Sequence, residues 1–196
     1  HQFSKKEDIE IIGFLTATIA WGNRKSIIKN ANRLVEIMQQ RPHEFILSYN
    51  DDQEFDFVHR TFNSEDLKFF FRSLQNIYLN FGGLEEVFDR KLPTKERIVK
   101  FRNTFLLVDH LDRSKKHLSN PDKGSSAKRI NMYLRWMIRN DKKGVDFGIW
   151  KKHKSADLYV PLDVHTGVSA RQLGLITRNQ NDWKALEELM AHLQKF

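Results

Sequence analysis

Apolar residues recur along this chain at intervals of three and four, the spacing of helices with a buried face. From Asp8 to Trp21, Ile9, Ile12, Leu15 and Ile19 form such a stripe, and Ile11 and Phe14 widen it. A largely buried helix is predicted there. Gly22 and Asn23 interrupt the pattern, and it resumes from Arg24 to Gln40 with Ile27, Ile28, Ala31, Leu34, Val35 and Met38 on one side. Pro42 starts a short helix through Leu47, and acidic Asn50 to Asp56 reads as a loop. Ser64 is the expected N-cap of a helix over Glu65 to Phe81, which Gly82-Gly83 ends. Leu84 to Phe88 is a further short helix, and Ile98, Phe101, Phe105 and Val108 mark another beginning at Thr94.

The second half follows the same rule. Asp112 to Gly124 is polar, basic and interrupted by Pro121, the pattern of an exposed loop. Ser125 or Ser126 is expected to cap a helix to about Arg139, with Ile130, Tyr133, Leu134, Met137 and Ile138 as its core stripe. Asn140 to Gly144 breaks it. Val160 precedes Pro161 and is therefore extended. Asp163 is placed to cap a helix ending at Leu173-Gly174, and Asn181 or Asp182 to open a last helix to Phe196. No stretch alternates as a strand, and neither an internal repeat nor a low-complexity linker is present. The expected fold is all-α, a single domain over residues 1–196 with about ten to twelve helices in two lobes around a cleft.

Composition narrows the function classes. A chain of 196 residues with 15 Phe and 4 Trp has ample large apolar side chains for one sizeable core. Cysteine is absent, which excludes disulfides, thiol catalysis and thiolate-held zinc or iron–sulfur clusters. No apolar run approaches the ~20 residues of a membrane-spanning helix. The opening residues lack a secretory pattern. The chain begins with His1 and not Met, so native residues beyond it are expected. Net charge is +8, and Arg113 to Lys154 alone carries 13 Lys/Arg against 3 Asp/Glu. That segment therefore exceeds the charge of the whole chain. A basic segment in an otherwise near-neutral protein suits a polyanion, nucleic acid first, although a solvated lysine-rich face has the same composition.

Two short segments bear candidate chemistry. In Gly124 to Met137, Lys128 falls in the first helical turn, where the positive end of the helix dipole and the neighbouring cations Arg129 and Lys123 disfavour an ammonium ion. An amine so placed is a possible nucleophile. In Leu158 to Leu175, Asp163 stands between a proline-fixed extended stretch and a helix start, with His165 close by. Read singly, Lys128 is a surface lysine and Asp163 a helix cap.

Read together, Ser126-Ala127-Lys128 and Pro161-Leu162-Asp163-Val164-His165, followed by Arg171 and Leu173-Gly174-Leu175, resemble the helix-hairpin-helix DNA glycosylase superfamily. The helix pair from Ile9 to Glu36, joined by Trp21-Gly22-Asn23-Arg24, is similar to its opening pair. The usual hairpin before the lysine, Leu-Pro-Gly-Val-Gly, is replaced by Asn120-Pro121-Asp122-Lys123-Gly124-Ser125-Ser126, where only Gly124 remains. Lys128 and Asp163 lie 35 positions apart, a long gap containing Val145-Asp146-Phe147-Gly148-Ile149-Trp150. These two departures resemble the archaeal 8-oxoguanine glycosylase branch and a related uncharacterised bacterial family.

The resemblance implies base-excision repair by a glycosylase/AP lyase that needs no metal or other cofactor. Lys128 is then the Schiff-base nucleophile and Asp163 the catalytic carboxylate. Trp150, Asp146, Trp21 and Asn23 are candidates for the base pocket, and Lys123, Gly124, Ser125, Ser126, Arg24 and Arg171 for DNA contact, with Arg135 and Arg139 behind them. Damaged double-stranded DNA is the expected partner, with no membrane contact, a monomeric state and a cytoplasmic, nucleoid-associated location. The alternative is a non-catalytic nucleic-acid-binding module of the same fold. A third reading, a protein-interaction domain, relies on an exposed Phe69-Phe70-Phe71 surface.

Overall fold

A computed structural model describes residues 2–141 and 144–195. They are mostly helical, as the periodicity predicts. Among the described residues, no helix is long and apolar enough to cross a membrane. By internal packing the chain divides into two compact units, His1–Lys91 with Lys100–Leu118, and Leu92–Val99 with Ser119–Phe196.

The first unit contains α1 (Lys6–Thr18), α2 (Arg24–Ile37), α3 (Pro42–Leu47), α4 (Ser64–Asn80), α5 (Leu84–Val87) and the later part of α6 (Thr94–Phe105). Its core is aromatic. Phe14 of α1 meets Phe70, Phe101 and Phe105 at ring separations of 5.4 to 5.8 Å. Phe88 stacks on Phe101 at 4.2 Å. Burying each such ring contributes about 1.5–3 kcal/mol. Phe69, Phe70 and Phe71 are all buried, because α4 is enclosed on several sides. Phe69, Phe70 and Phe71 therefore do not form the exposed surface on which the protein-interaction reading relies.

The cap of α4 is Asn63 and not Ser64. The Asn63 carboxamide accepts from the Asp66 N–H while the Asp66 carboxylate accepts from the Asn63 N–H, a reciprocal capping box. The Ser64 hydroxyl instead accepts from the Phe57 N–H at 3.0 Å. A small hairpin, absent from the sequence reading, precedes this cap: β1 (Val58–His59) pairs antiparallel with β2 (Phe62–Asn63). Two residues per strand are too few for alternation to register. The segment expected as an open loop from Asp112 also differs. Asp112–His117 is a 3-10 turn tied to α4 through buried Asp66, which accepts from Arg113 Nη2 at 3.1 Å and Ser114 Oγ at 2.6 Å and lies 3.2 Å from His117 Nε2.

The second unit contains the start of α6, then α7 (Lys128–Ile138), α8 (Val164–Gln172) and α9 (Trp183–Leu193), with 3-10 turns at Pro121–Lys123 and Ser155–Asp157. Its core joins the predicted stripe of α7 to Trp150, Leu162, Ile176, Trp183, Leu186 and Leu189. The insertion before Trp150 closes the end of α7. Phe147 and Trp150 donate their N–H groups to the Trp136 and Met137 carbonyls at 2.7 and 2.9 Å, satisfying acceptors a helix end leaves open. Gly148 permits this approach, since its φ is 58° and a Cβ there would lie 2.5 Å from that of Asn140. Within the predicted break at 140–144, Lys142 and Lys143 lie outside the described residues, as does the predicted helix end at Phe196.

Candidate active site

Lys128 and Asp163 come together within the second unit. Lys128 Nζ lies 3.2 Å from Asp163 Oδ2, with the two side chains 43% and 30% exposed. The pair is partly solvated. Each residue stands at the start of its own helix, and the local sequence explains why.

Asp163 is extended, and its Oδ1 accepts from the Thr166 N–H at 2.8 Å. That bond, aided by Lys128, holds its carboxyl below the usual carboxylate range. Asp163 is thus a fixed negative charge. Its carbonyl is fixed too, accepting from Asn181 Nδ2 at 3.1 Å and from the Gly167 N–H at 2.8 Å.

Lys128 opens α7 as expected, but the cap before it differs. Neither Ser125 nor Ser126 caps α7. The capping position is Ala127, buried and left-handed at φ 48°, ψ 38°. Such a conformation is unfavourable for a residue with a Cβ and persists only where its surroundings impose it. Two bonds do so here. The Ala127 N–H donates to Ser125 Oγ at 3.2 Å, and Asn131 Nδ2 donates to the Ser126 carbonyl at 3.0 Å. Asn131 is fully buried on the core stripe of α7, and its Oδ1 has no hydrogen-bond partner among the described residues. In the sequence it is an amide among apolar positions, one turn beyond the lysine. Ser126 Oγ reaches the Leu162 carbonyl at 3.5 Å, a long contact joining the two segments.

The segment that stands in place of the usual hairpin is a 3-10 turn over Pro121–Lys123 closed by Gly124 at φ 86°, ψ 3°. Its amides face inward: Lys123 and Ser125 donate to the Asn120 carbonyl and Gly124 to that of Pro121. The Gly124 carbonyl accepts from the Trp183 N–H at 2.9 Å, and Ser125 bridges Asp182. The amide route from Lys123, Gly124 and Ser125 to phosphate is therefore occupied by the fold, while the Lys123 side chain is exposed. Arg171 is also engaged internally, donating to the carbonyls of Arg178 and Asn179 and to Asn181 Oδ1 at 2.7 to 2.9 Å.

The base-pocket candidates separate. Trp150 is 1% exposed and packs edge-on against Tyr133, so its indole is core. Asp146 is buried between Arg135 and Arg139 at 3.3 and 3.4 Å, which occupies both arginines. Trp21, Asn23 and Arg24 belong to the first unit. Asn23 caps α2 by accepting from the Lys25 and Ser26 N–H groups, and Arg24 is exposed. His165 is exposed on α8. Among the described residues no three His, Asp or Glu side chains gather as a metal site.

No curated protein and no solved structure matches the chain. Residues 1–196 match the family described as "Protein of unknown function (DUF2400)", and the chain belongs to that family.

Proposed function

We propose that this protein is a DNA glycosylase/AP lyase of the helix-hairpin-helix kind, acting on a damaged base such as an oxidised guanine. The observation that carries the reading is the 3.2 Å approach of Lys128 Nζ to Asp163 Oδ2, with each residue held at a helix start. The sequence resemblance supplies the reaction. In that scheme a flipped nucleotide presents its sugar C1′ to the site. The unprotonated Lys128 amine bonds to C1′ as the C1′–base bond breaks, and the base leaves with a proton. Ring opening yields a Schiff base. Loss of a C2′ proton then expels the 3′ phosphate and nicks the strand. The Asp163 carboxylate opposes the positive charge that develops on the sugar. Its low proton affinity supports that role, because the carboxylate stays ionised at neutral pH. Trp150 belongs to the core and Asp146 is held by Arg135 and Arg139, so neither is offered to a base.

Borohydride trapping on duplexes containing 8-oxoguanine or an abasic site tests the reading. A covalent complex is expected from the wild type and none from Lys128→Gln. Asp163→Asn is expected to bind DNA yet lose base release by at least about a hundredfold. Absence of trapping by the wild type on every damaged duplex would remove the lyase assignment.

A further inference from the structure

Five of the cations between Arg113 and Lys154 are held by carboxylates. Arg113 meets Asp66, Lys115 meets Asp112, Lys128 meets Asp163, and Arg135 and Arg139 meet Asp146. On the outer side of α2 the cations share one helix face and, among the described residues, most lack such a partner. Arg24, Lys25, Ile28, Lys29, Asn32 and Arg33 recur at the spacing of a single helix face, and all are exposed. Arg33 pairs with Glu36, but no carboxylate lies within ion-pair distance of Arg24, Lys25 or Lys29 among the described residues. Arg24 and Lys25 also occupy the first turn, where the helix dipole disfavours cations and no acidic residue offsets them. Folding of the first unit gives no reason for this placement.

A cationic aromatic stack adjoins the start of this ridge. The Arg60 guanidinium lies 4.5 Å from the Trp21 ring centre. Gly22, at φ 101°, lets the two approach, since a Cβ there would stand 3.1 Å from Arg60 Nη1. His59 fixes the hairpin here, with Nε2 3.1 Å from the Trp21 carbonyl and Nδ1 2.8 Å from Asn30 Nδ2. Arg60, like the α2 cations, has no carboxylate partner among the described residues.

We infer that the outer face of α2, with Arg60 beside it, is a contact surface for the phosphate backbone of duplex DNA. The α2 cations recur about every 6 Å, one helical turn, within side-chain reach of phosphates repeating about every 3.4 Å of axis on each strand. The exposed apolar side chains on and beside the ridge, Ile28 and Val58, offer far less than the apolar stripe of a membrane-inserting helix. The inference rests on the nucleic-acid part of the function proposed above and is independent of the lysine chemistry.

The test is duplex binding by the full chain, followed by fluorescence anisotropy across 50–200 mM salt, for wild type and the triple variant Arg24→Glu, Lys25→Glu, Lys29→Glu. Affinity is expected to fall on the order of a hundredfold, and the log–log salt slope to shrink by about 1 per residue replaced. The thermal midpoint is expected not to fall, because acidic residues suit the first turn of α2. The corresponding triple glutamine variant reads the same slope should the glutamate variant fold poorly. Unchanged affinity and slope in the variants would overturn this surface and leave the DNA reading standing. Failure of the wild type to bind any duplex would overturn both. Binding to phosphatidylserine vesicles without binding to duplex would assign the face to a membrane and overturn the inference.

Discussion

Asp163 accepts the Thr166 N–H with one carboxylate oxygen and faces Lys128 with the other, so capping and chemistry can be separated at a single residue. Asn and Asp cap helices comparably. Asp163→Asn should therefore keep the thermal midpoint near that of the wild type while losing the negative charge. Asp163→Ala removes the cap as well and should cost about 1 kcal/mol, read by thermal denaturation. Equal destabilisation by both substitutions would mean that the charge, and not the cap, holds α8 in place. The cap was legible in the sequence because Asp163 follows a proline-fixed stretch. The strained backbone of Ala127 was not, since nothing about an alanine announces a left-handed conformation. The bonds that impose it come from Ser125 and from Asn131, a full turn away.

At the scale of elements, helix positions followed hydrophobic periodicity closely, and errors gathered at their ends. A cap is decided by one bond, which can pass to a neighbouring residue without disturbing the periodic pattern. Asn63 taking the cap from Ser64 is such a case. Element packing also reverses an ordinary propensity at Gly167 of α8. A Cβ there would stand 2.3 Å from Asn181 Oδ1 and 2.9 Å from Arg171 Nη1. Glycine to alanine inside a helix normally gains up to about 1 kcal/mol. Here Gly167→Ala should instead lose about 1–3 kcal/mol through overpacking. It should also push Asn181 away from the Asp163 carbonyl, lowering trapping activity as well as the melting temperature. A stabilised variant of unchanged activity would mean that Asn181 yields freely.

Across the whole molecule, several carboxyls titrate below their ordinary range when folded. Asp182 is lowered to about 2, chiefly by its bond from Arg178. Asp89 is lowered by Lys100, Glu188 by Thr177, and Asp163 by the Thr166 N–H. A carboxyl depressed in the folded state adds stability that is present above its unfolded value. That contribution is lost as pH falls through the folded value. The thermal midpoint should therefore decline as pH drops from about 5 toward 2, and the decline should be smaller at high salt, because most of these groups are near the surface. A flat midpoint across that range would exclude these pairs as contributors. Charge shows the same division between local and global control. The basic excess of Arg113–Lys154 is visible by counting, but counting does not show that Arg113 and Lys128 are matched by carboxylates distant in sequence, Asp66 and Asp163.

The sequence by itself determined the helical class, the order of the main helices and the two segments bearing Lys128 and Asp163. These follow from local rules: apolar period, proline and glycine stops, and polar residues at helix starts. Only the tertiary structure decided that the lysine and the aspartate meet, that Trp150 and Asp146 are interior, and that Arg171 is held by the loop before α9. It also decided which cations pair with carboxylates, such as Arg113, Lys128 and Arg135, and which do not, such as Arg24, Lys25 and Lys29 on α2. Each of these depends on contacts between residues far apart in the chain. Periodicity specifies which face of a helix is buried, but not which groups it is buried against.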